Sequence, residues 1–142
     1  MITIDRINQA DLAQLHQLYD PLIGDKTDLE QLRESFRLFG GSRNGTLLVA
    51  RDGSKFLGSL LGIVRRKVSG DCRRFMVIES MIVGGGIKRK LVGSMLMRHI
   101  EECARQQRCD CITSSSENSQ THDFSGSLGY AAGAAQGFKK IL

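Results

Sequence analysis

The stretch from Phe75 to Val83 is almost continuously apolar, and it runs directly into Gly84-Gly85-Gly86 and then Lys88-Arg89-Lys90. A run that long without a 3.6-residue period predicts a central strand buried on both faces. Beyond the basic triplet, Leu91, Val92, Met95, Leu96, Ile100 and Cys103 share one face of a helix, with Arg98, Glu101, Glu102 and Arg105 mostly outside it. A further strand is expected over Asp110 to Ser114. Strand, glycine loop, helix and strand close as a parallel pair with a right-handed crossover, so the rest of the chain must extend and cover that unit.

The triplet also poses an electrostatic problem. A helix start is the positive end of the macrodipole, where cations are disfavoured. A bound anion resolves the conflict, because the first-turn amides have no acceptor inside the helix and the cations then face negative charge. Without an anion, the same residues read as a glycine turn followed by a solvated basic helix end.

Ahead of the unit, Ile2 to Ile7 reads as a short strand. Asn8 can cap a helix with the stripe Leu12, Leu15, Leu18, Tyr19 and Leu22, which Pro21 bends or ends. Asp28 can cap a second helix carrying Leu29, Leu32, Phe36 and Phe39 until Gly40-Gly41. Thr46 to Arg51, the turn Asp52-Gly53-Ser54 and Phe56 to Val64 read as a hairpin, with a second turn near Gly70-Asp71. After Ser114 come a short helix around Thr121 to Ser127, the corner Gly129-Tyr130, and a closing strand pair ending at Phe138 to Leu142.

At 142 residues the chain fits one domain with a core of its own, spanning residues 1–142. No apolar run reaches bilayer length, and Met1-Ile2-Thr3-Ile4-Asp5 lacks a signal peptide's basic start, so no membrane association and a cytoplasmic location are expected. The net charge of +5 favours anionic partners. Two tyrosines and no tryptophan argue against a nucleic-acid surface built on base stacking. The cluster Arg65, Arg66, Lys67, Arg73 and Arg74 reads as a solvated hairpin end.

Cys109 and Cys111 are too close for the common zinc spacings, so no metal is expected. Strand alternation would send both thiols to one face as small core residues.

The order of elements, together with Asp52 to Gly58, Ile78 to Val83 and the run from Asn118 through Leu128-Gly129-Tyr130, resembles the GNAT superfamily of acyl-CoA-dependent N-acetyltransferases. The nearest likeness is to small bacterial enzymes acting on aminoalkylphosphonates or aminoglycosides. The resemblance implies an α/β (α+β) fold: a mixed, mostly antiparallel sheet with a splayed parallel strand pair and about four helices. It implies acetyl-CoA as acetyl donor, and direct attack by a primary amine of a small molecule or peptide. Homodimers are common among similar proteins. The family's pyrophosphate loop, Arg/Gln-x-x-Gly-x-Gly/Ala, falls on Lys88 at its first position and Gly93 at its last, with Leu91 where glycine is usual.

By the same resemblance, backbone groups around Met81, Ile82 and Val83 pair with the pantetheine arm, amides from Lys88 through Arg89, Lys90, Leu91, Val92, Gly93 and Ser94 hold the pyrophosphate, and Asn118 joins the cofactor site. Leu91 then has to turn its side chain away from the cofactor. The attacking amine is mostly protonated at neutral pH and needs an acceptor for its proton. Glu79 interrupts an apolar strand, where burial would raise its pKa toward a useful range; a carboxylate that faces outward or pairs with an arginine is the competing reading. His122 and Ser80 are lesser candidates. Many relatives protonate the departing thiolate with a tyrosine on the last helix. That place falls on Ser125, a far weaker acid that can still hydrogen-bond the sulfur, with Tyr130 as a substitute or a core residue. Leu91 and Ser125 together favour the alternative of a degenerate acyl-CoA-binding domain without turnover.

Overall fold

The computed structural model describes residues 1–23, 28–40, 43–114, 129–130 and 138–142. Among the described residues five strands form one sheet in sequence order: β1 (Ile2–Arg6), β2 (Gly45–Asp52), β3 (Lys55–Arg66), β4 (Arg74–Val83) and β5 (Ile112–Ser114). The first three pairings are antiparallel and β4 pairs with β5 in parallel, from Met76↔Ile112 to Ile78↔Ser114. The helices are α1 (Leu12–Ile23), α2 (Leu29–Ser35), which continues as a π-turn over Phe36–Gly40, and α3 (Arg89–Gln106). The expected helix at Thr121 to Ser127 lies outside the described residues.

Alternating side chains on the strands feed two cores, one on each face of the sheet. Leu48, Leu60, Met76 and Ile78 meet Val92, Leu96, Met97, Ile100 and Ala104 of α3 on one face. Leu47, Val49 and Phe56 meet Leu12, Leu15 and Tyr19 of α1 on the other. Within the second core the Tyr19 hydroxyl and Ser59 Oγ are 2.8 Å apart, so these buried polar groups satisfy each other. Burial pushes the Tyr19 phenol above its ordinary value, which keeps it neutral.

Both predicted caps form. Asn8 Oδ1 accepts from the Ala10 amide at 3.0 Å, and Asp11 Oδ2 accepts from the Asn8 amide, a reciprocal capping box on the turn Gln9–Asp11 that leads into α1. Asp28 Oδ1 accepts from the amides of Glu30 and Gln31 at the start of α2. Asn8→Ala is expected to cost about 1 kcal/mol, readable as a lower urea midpoint at unchanged slope.

Several expectations are corrected. Pro21 lies inside α1, which continues to Ile23. Leu22 and Phe39 are exposed rather than on the buried stripes. On α3, Leu91 is exposed, and Met97 and Ala104 take the core positions instead. Residues 138–142 carry no strand, and Phe138, Ile141 and Leu142 are exposed. Cys111 is exposed because β5 begins only at Ile112. The chain leaves α3 through Arg108 at φ 60°, so strand alternation does not reach back to Cys109, which alone of the two packs on the core.

Candidate active site at the end of the central strand

The site is built where β4 hands over to α3. Gly58 in β3 faces Val83, and beyond it the Gly84 amide donates to the Leu57 carbonyl at 2.9 Å. Since backbone groups alternate sides along a strand, Ile82 also faces β3, while the N–H and C=O groups of Met81 and Val83 point to the other edge. On that edge the ladder with β5 is formed by Met76 to Ile78, so Met81 and Val83 have no strand partner among the described residues.

A β-bulge makes this possible. Leu61 pairs with Ser80 but Gly62 pairs with Ile78, which leaves Glu79 as the extra residue. Below the bulge Met76 faces β5, donating to the Cys111 carbonyl at 3.0 Å; above it the parity changes and odd-numbered residues face that edge. The bulge is non-local and has no signature in the run from Phe75 to Val83. Glu79 itself is exposed, so the expected burial of its carboxylate is absent: the extra residue lies out of the ladder and out of the core. Ser80 beside it is half-buried.

The glycine loop then turns the chain into α3. Gly86 takes φ 114°, a conformation that side chains rarely adopt, and no atom would meet a Cβ at Gly85 or Gly86. Lys88 is the N-cap residue and makes no side-chain cap. The Arg89 amide turns back to the Gly86 carbonyl and the Val92 amide to the Lys88 carbonyl, whereas the amides of Lys88, Lys90 and Leu91 have no acceptor among the described residues. The amides of Gly93 and Ser94 lie within the helical ladder, and the Ser94 hydroxyl donates to the Lys90 carbonyl at 2.8 Å. The free donors are therefore confined to the first turn, short of the Lys88-to-Ser94 span expected. Leu91 is 53% exposed, and Val92 beside it is buried.

Arg89 and Lys90 are exposed and have no ion pair among the described residues, while Lys88 Nζ lies 3.8 Å from Asp52 Oδ2 at the β2–β3 turn. The Met1 ammonium lies 3.2 Å from the other oxygen of Asp52. Its hydrogen bond and charge, with Lys88 contributing less, hold the Asp52 carboxyl below its ordinary value. The sequence carries no signal for this long-range pairing, because Lys88 and Asp52 are distant along the chain and only the sheet register joins them.

Other candidates are placed elsewhere. Asn118, His122 and Ser125 lie outside the described residues. The Tyr130 hydroxyl donates to Glu101 Oε1 at 3.1 Å, far along α3 from the glycine loop, and burial and that carboxylate raise its pKa strongly. That position favours the core reading of Tyr130 over a role as proton donor. Of the acids on the helical side, Asp20 sits 3.6 Å from His16, Asp28 is the α2 cap, and Glu30 pairs with Arg33. Among the described residues no group of three or more His, Cys, Asp or Glu side chains converges as a metal site would require, and no helix is long and apolar enough to cross a membrane.

Residues 10–130 match the model of the acetyltransferase (GNAT) family. The chain belongs to the GNAT family. Comparison with curated proteins gives no match. Among solved structures, a transcriptional regulator from Bacillus halodurans C-125 superposes with a TM-score of 0.87 at 18% identity, covering 100% of both chains. The aminoglycoside 6'-N-acetyltransferase AAC(6')-Ih from Acinetobacter baumannii gives 0.81 at 20% identity, covering 100% of this chain and 99% of the other. AAC(6')-Iy in complex with a CoA bisubstrate analogue gives 0.85 at 14% identity, again over 100% and 99%. At such identities the likeness establishes the GNAT fold: an α+β architecture with a mixed sheet, five-stranded among the described residues, and a parallel β4–β5 pair.

Proposed function

We propose that residues 1–142 form a single GNAT-like acetyltransferase domain that moves an acetyl group from acetyl-CoA to a primary amine by direct attack, in the cytoplasm. The observation that carries the reading is the pairing of unsatisfied first-turn amides at Lys88, Lys90 and Leu91 with the open backbone edge at Met81 and Val83. The amides and the exposed cations Arg89 and Lys90 suit a diphosphate. The edge suits the amide groups of a pantetheine arm, taken up as an added strand from Met81 through Val83. A backbone N–H at the same edge would stabilise the oxyanion formed as the amine attacks the thioester. Asn118 completes the cofactor site in this reading, and Ser125 hydrogen-bonds the departing sulfur.

Glu79 remains our candidate for accepting the amine's proton, supported now by its place at the bulge beside that edge and not by burial. Glu79→Gln is expected to lower turnover about a hundredfold while leaving acetyl-CoA affinity within twofold. Equal turnover in the variant would remove Glu79 from the mechanism. The decisive experiment is calorimetry with acetyl-CoA followed by free-thiol release on a panel of small amines, aminoglycosides included. Binding with turnover supports the enzyme, and lack of binding overturns the reading.

A second reading, binding of acyl-CoA without turnover, is favoured by Leu91 at the family's usual glycine position. The same experiment separates them, since a silent binder gives heat with acetyl-CoA and no thiol with any amine.

A further inference from the structure

The other end of the sheet carries a feature that acetyl transfer does not use. A cleft of about 460 Å³ opens beside the C-terminal half of α3, and Arg6, Arg43 and Arg74 line it together with Thr46, His99 and Cys103. The three guanidinium groups come from β1, from the segment before β2, and from the first residue of β4. By sequence Arg74 reads as part of a solvated hairpin end; in the fold it is half-buried and lines the cleft.

Two ordinary explanations for three arginines in one place fail. The first is pairing with carboxylates. Among the described residues none of the three makes an ion pair and no carboxylate lines the cleft; Glu102 pairs with Arg105 at 3.5 Å and Asp110 with Arg73 at 3.5 Å. The second is capping of the helix C-terminus, where cations are favoured. The chain does this itself, since the amides of Gln107, Arg108 and Cys109 return to the carbonyls of Cys103, Arg105 and Ala104.

One of the three guanidinium groups is also ordered in advance. Arg6 Nη2 donates to the Gly45 carbonyl at 3.2 Å and to the buried Thr46 hydroxyl at 3.1 Å, which fixes one face of its guanidinium and leaves its other donors available. Burial raises the pKa of Cys103, so the thiol stays neutral and adds no competing negative charge. Guanidinium groups match the planar and tetrahedral geometry of oxyanions, and Arg6 offers one already oriented.

We propose that this cleft is a second binding site, specific for a small multiply charged oxyanion, of the phosphate or polycarboxylate class, at the end of α3 opposite the acetyl-CoA site. The helix has 18 residues, about 27 Å of rise, so the two sites do not overlap. Anion binding here does not depend on the acetyltransferase reading; only the acetyl-CoA control rests on it.

The test is a titration of the full chain with inorganic phosphate, and separately with citrate, followed by amide proton–nitrogen NMR. Saturable shifts at residues around Arg6, Thr46, Arg74 and His99 are expected, with affinity at least about tenfold weaker in Arg43→Gln/Arg74→Gln and acetyl-CoA affinity unchanged. Should the double variant fail to fold, Arg43→Gln alone, on an exposed side chain, gives the same readout. Saturation by citrate but not phosphate keeps the site and assigns it to polycarboxylates. Shifts confined to residues 84–94, an unchanged affinity in the variants, or linear shifts without saturation for both anions would overturn the proposal.

Discussion

Replacing Lys88 and Arg89 together by glutamate should weaken acetyl-CoA binding about a hundredfold and leave the melting temperature within about 3 °C of the parent. Two charge-assisted contacts to a diphosphate are worth about 1.5 kcal/mol each at the low end, which sums to that factor. The fold should tolerate the change because both side chains are exposed at the start of α3. The Lys88–Asp52 pair that is lost is an exposed surface pair, of the kind that contributes little to stability. Glutamates at a helix start are moreover favoured by the macrodipole. Calorimetry and thermal melting on the same samples check both halves, and an unchanged affinity would mean that the cofactor's phosphates lie elsewhere.

Gly58→Val should have the opposite profile, with stability lost first. A Cβ at Gly58 would sit 2.9 Å from the Ile82 carbonyl oxygen and 3.3 Å from both Val83 Cα and Val92 Cγ1. Two of those atoms are backbone, which cannot swing aside, so β4 or α3 has to shift. Overpacking of this kind costs about 1–3 kcal/mol, and the valine methyls place the substitution at the upper end. At 142 residues that corresponds to a fall of about 6–10 °C in melting temperature. Because the displaced atoms adjoin the turn from Val83 into α3, acetyl-CoA affinity should fall as well. Gly85→Ala is the control: nothing lies within 4 Å of its Cβ, and stability should stay within about 0.5 kcal/mol. A stable Gly58→Val would show that α3 does not rest on β3 at this point.

The parts of the molecule that depend on near neighbours in the chain were legible in its sequence. Asn8 and Asp28 cap as their positions predict, because a cap involves only the next two or three amides. The hairpin turn at Asp52-Gly53-Ser54 forms with Gly53 at φ 60°. The strand–loop–helix–strand unit follows from two periods and a glycine run.

What escaped the reading is what the register decides. Which residue of Phe75 to Val83 is extra depends on where β3 lies beside it, and the answer, Glu79, turns an expected buried carboxylate into an exposed one. Asp52 meets Lys88, and Arg6 meets Arg43 and Arg74, only after the sheet is assembled. Leu91 illustrates both sides. Its mismatch with the family pattern is plain in the sequence, but only the phase of α3 shows its side chain half in solvent beside the buried Val92.

The flipped parity of β4 bears on how such a chain diverges. Above Glu79 the main chain of Met81 and Val83 faces outward to the sheet edge while their side chains pack toward the interior, so one pair of residues serves two tasks through different atoms. Any residue except proline can present the same peptide groups. Evolutionary drift at these positions is then governed by volume and not by chemical identity, and a pocket can outlast the letters that once spelled it.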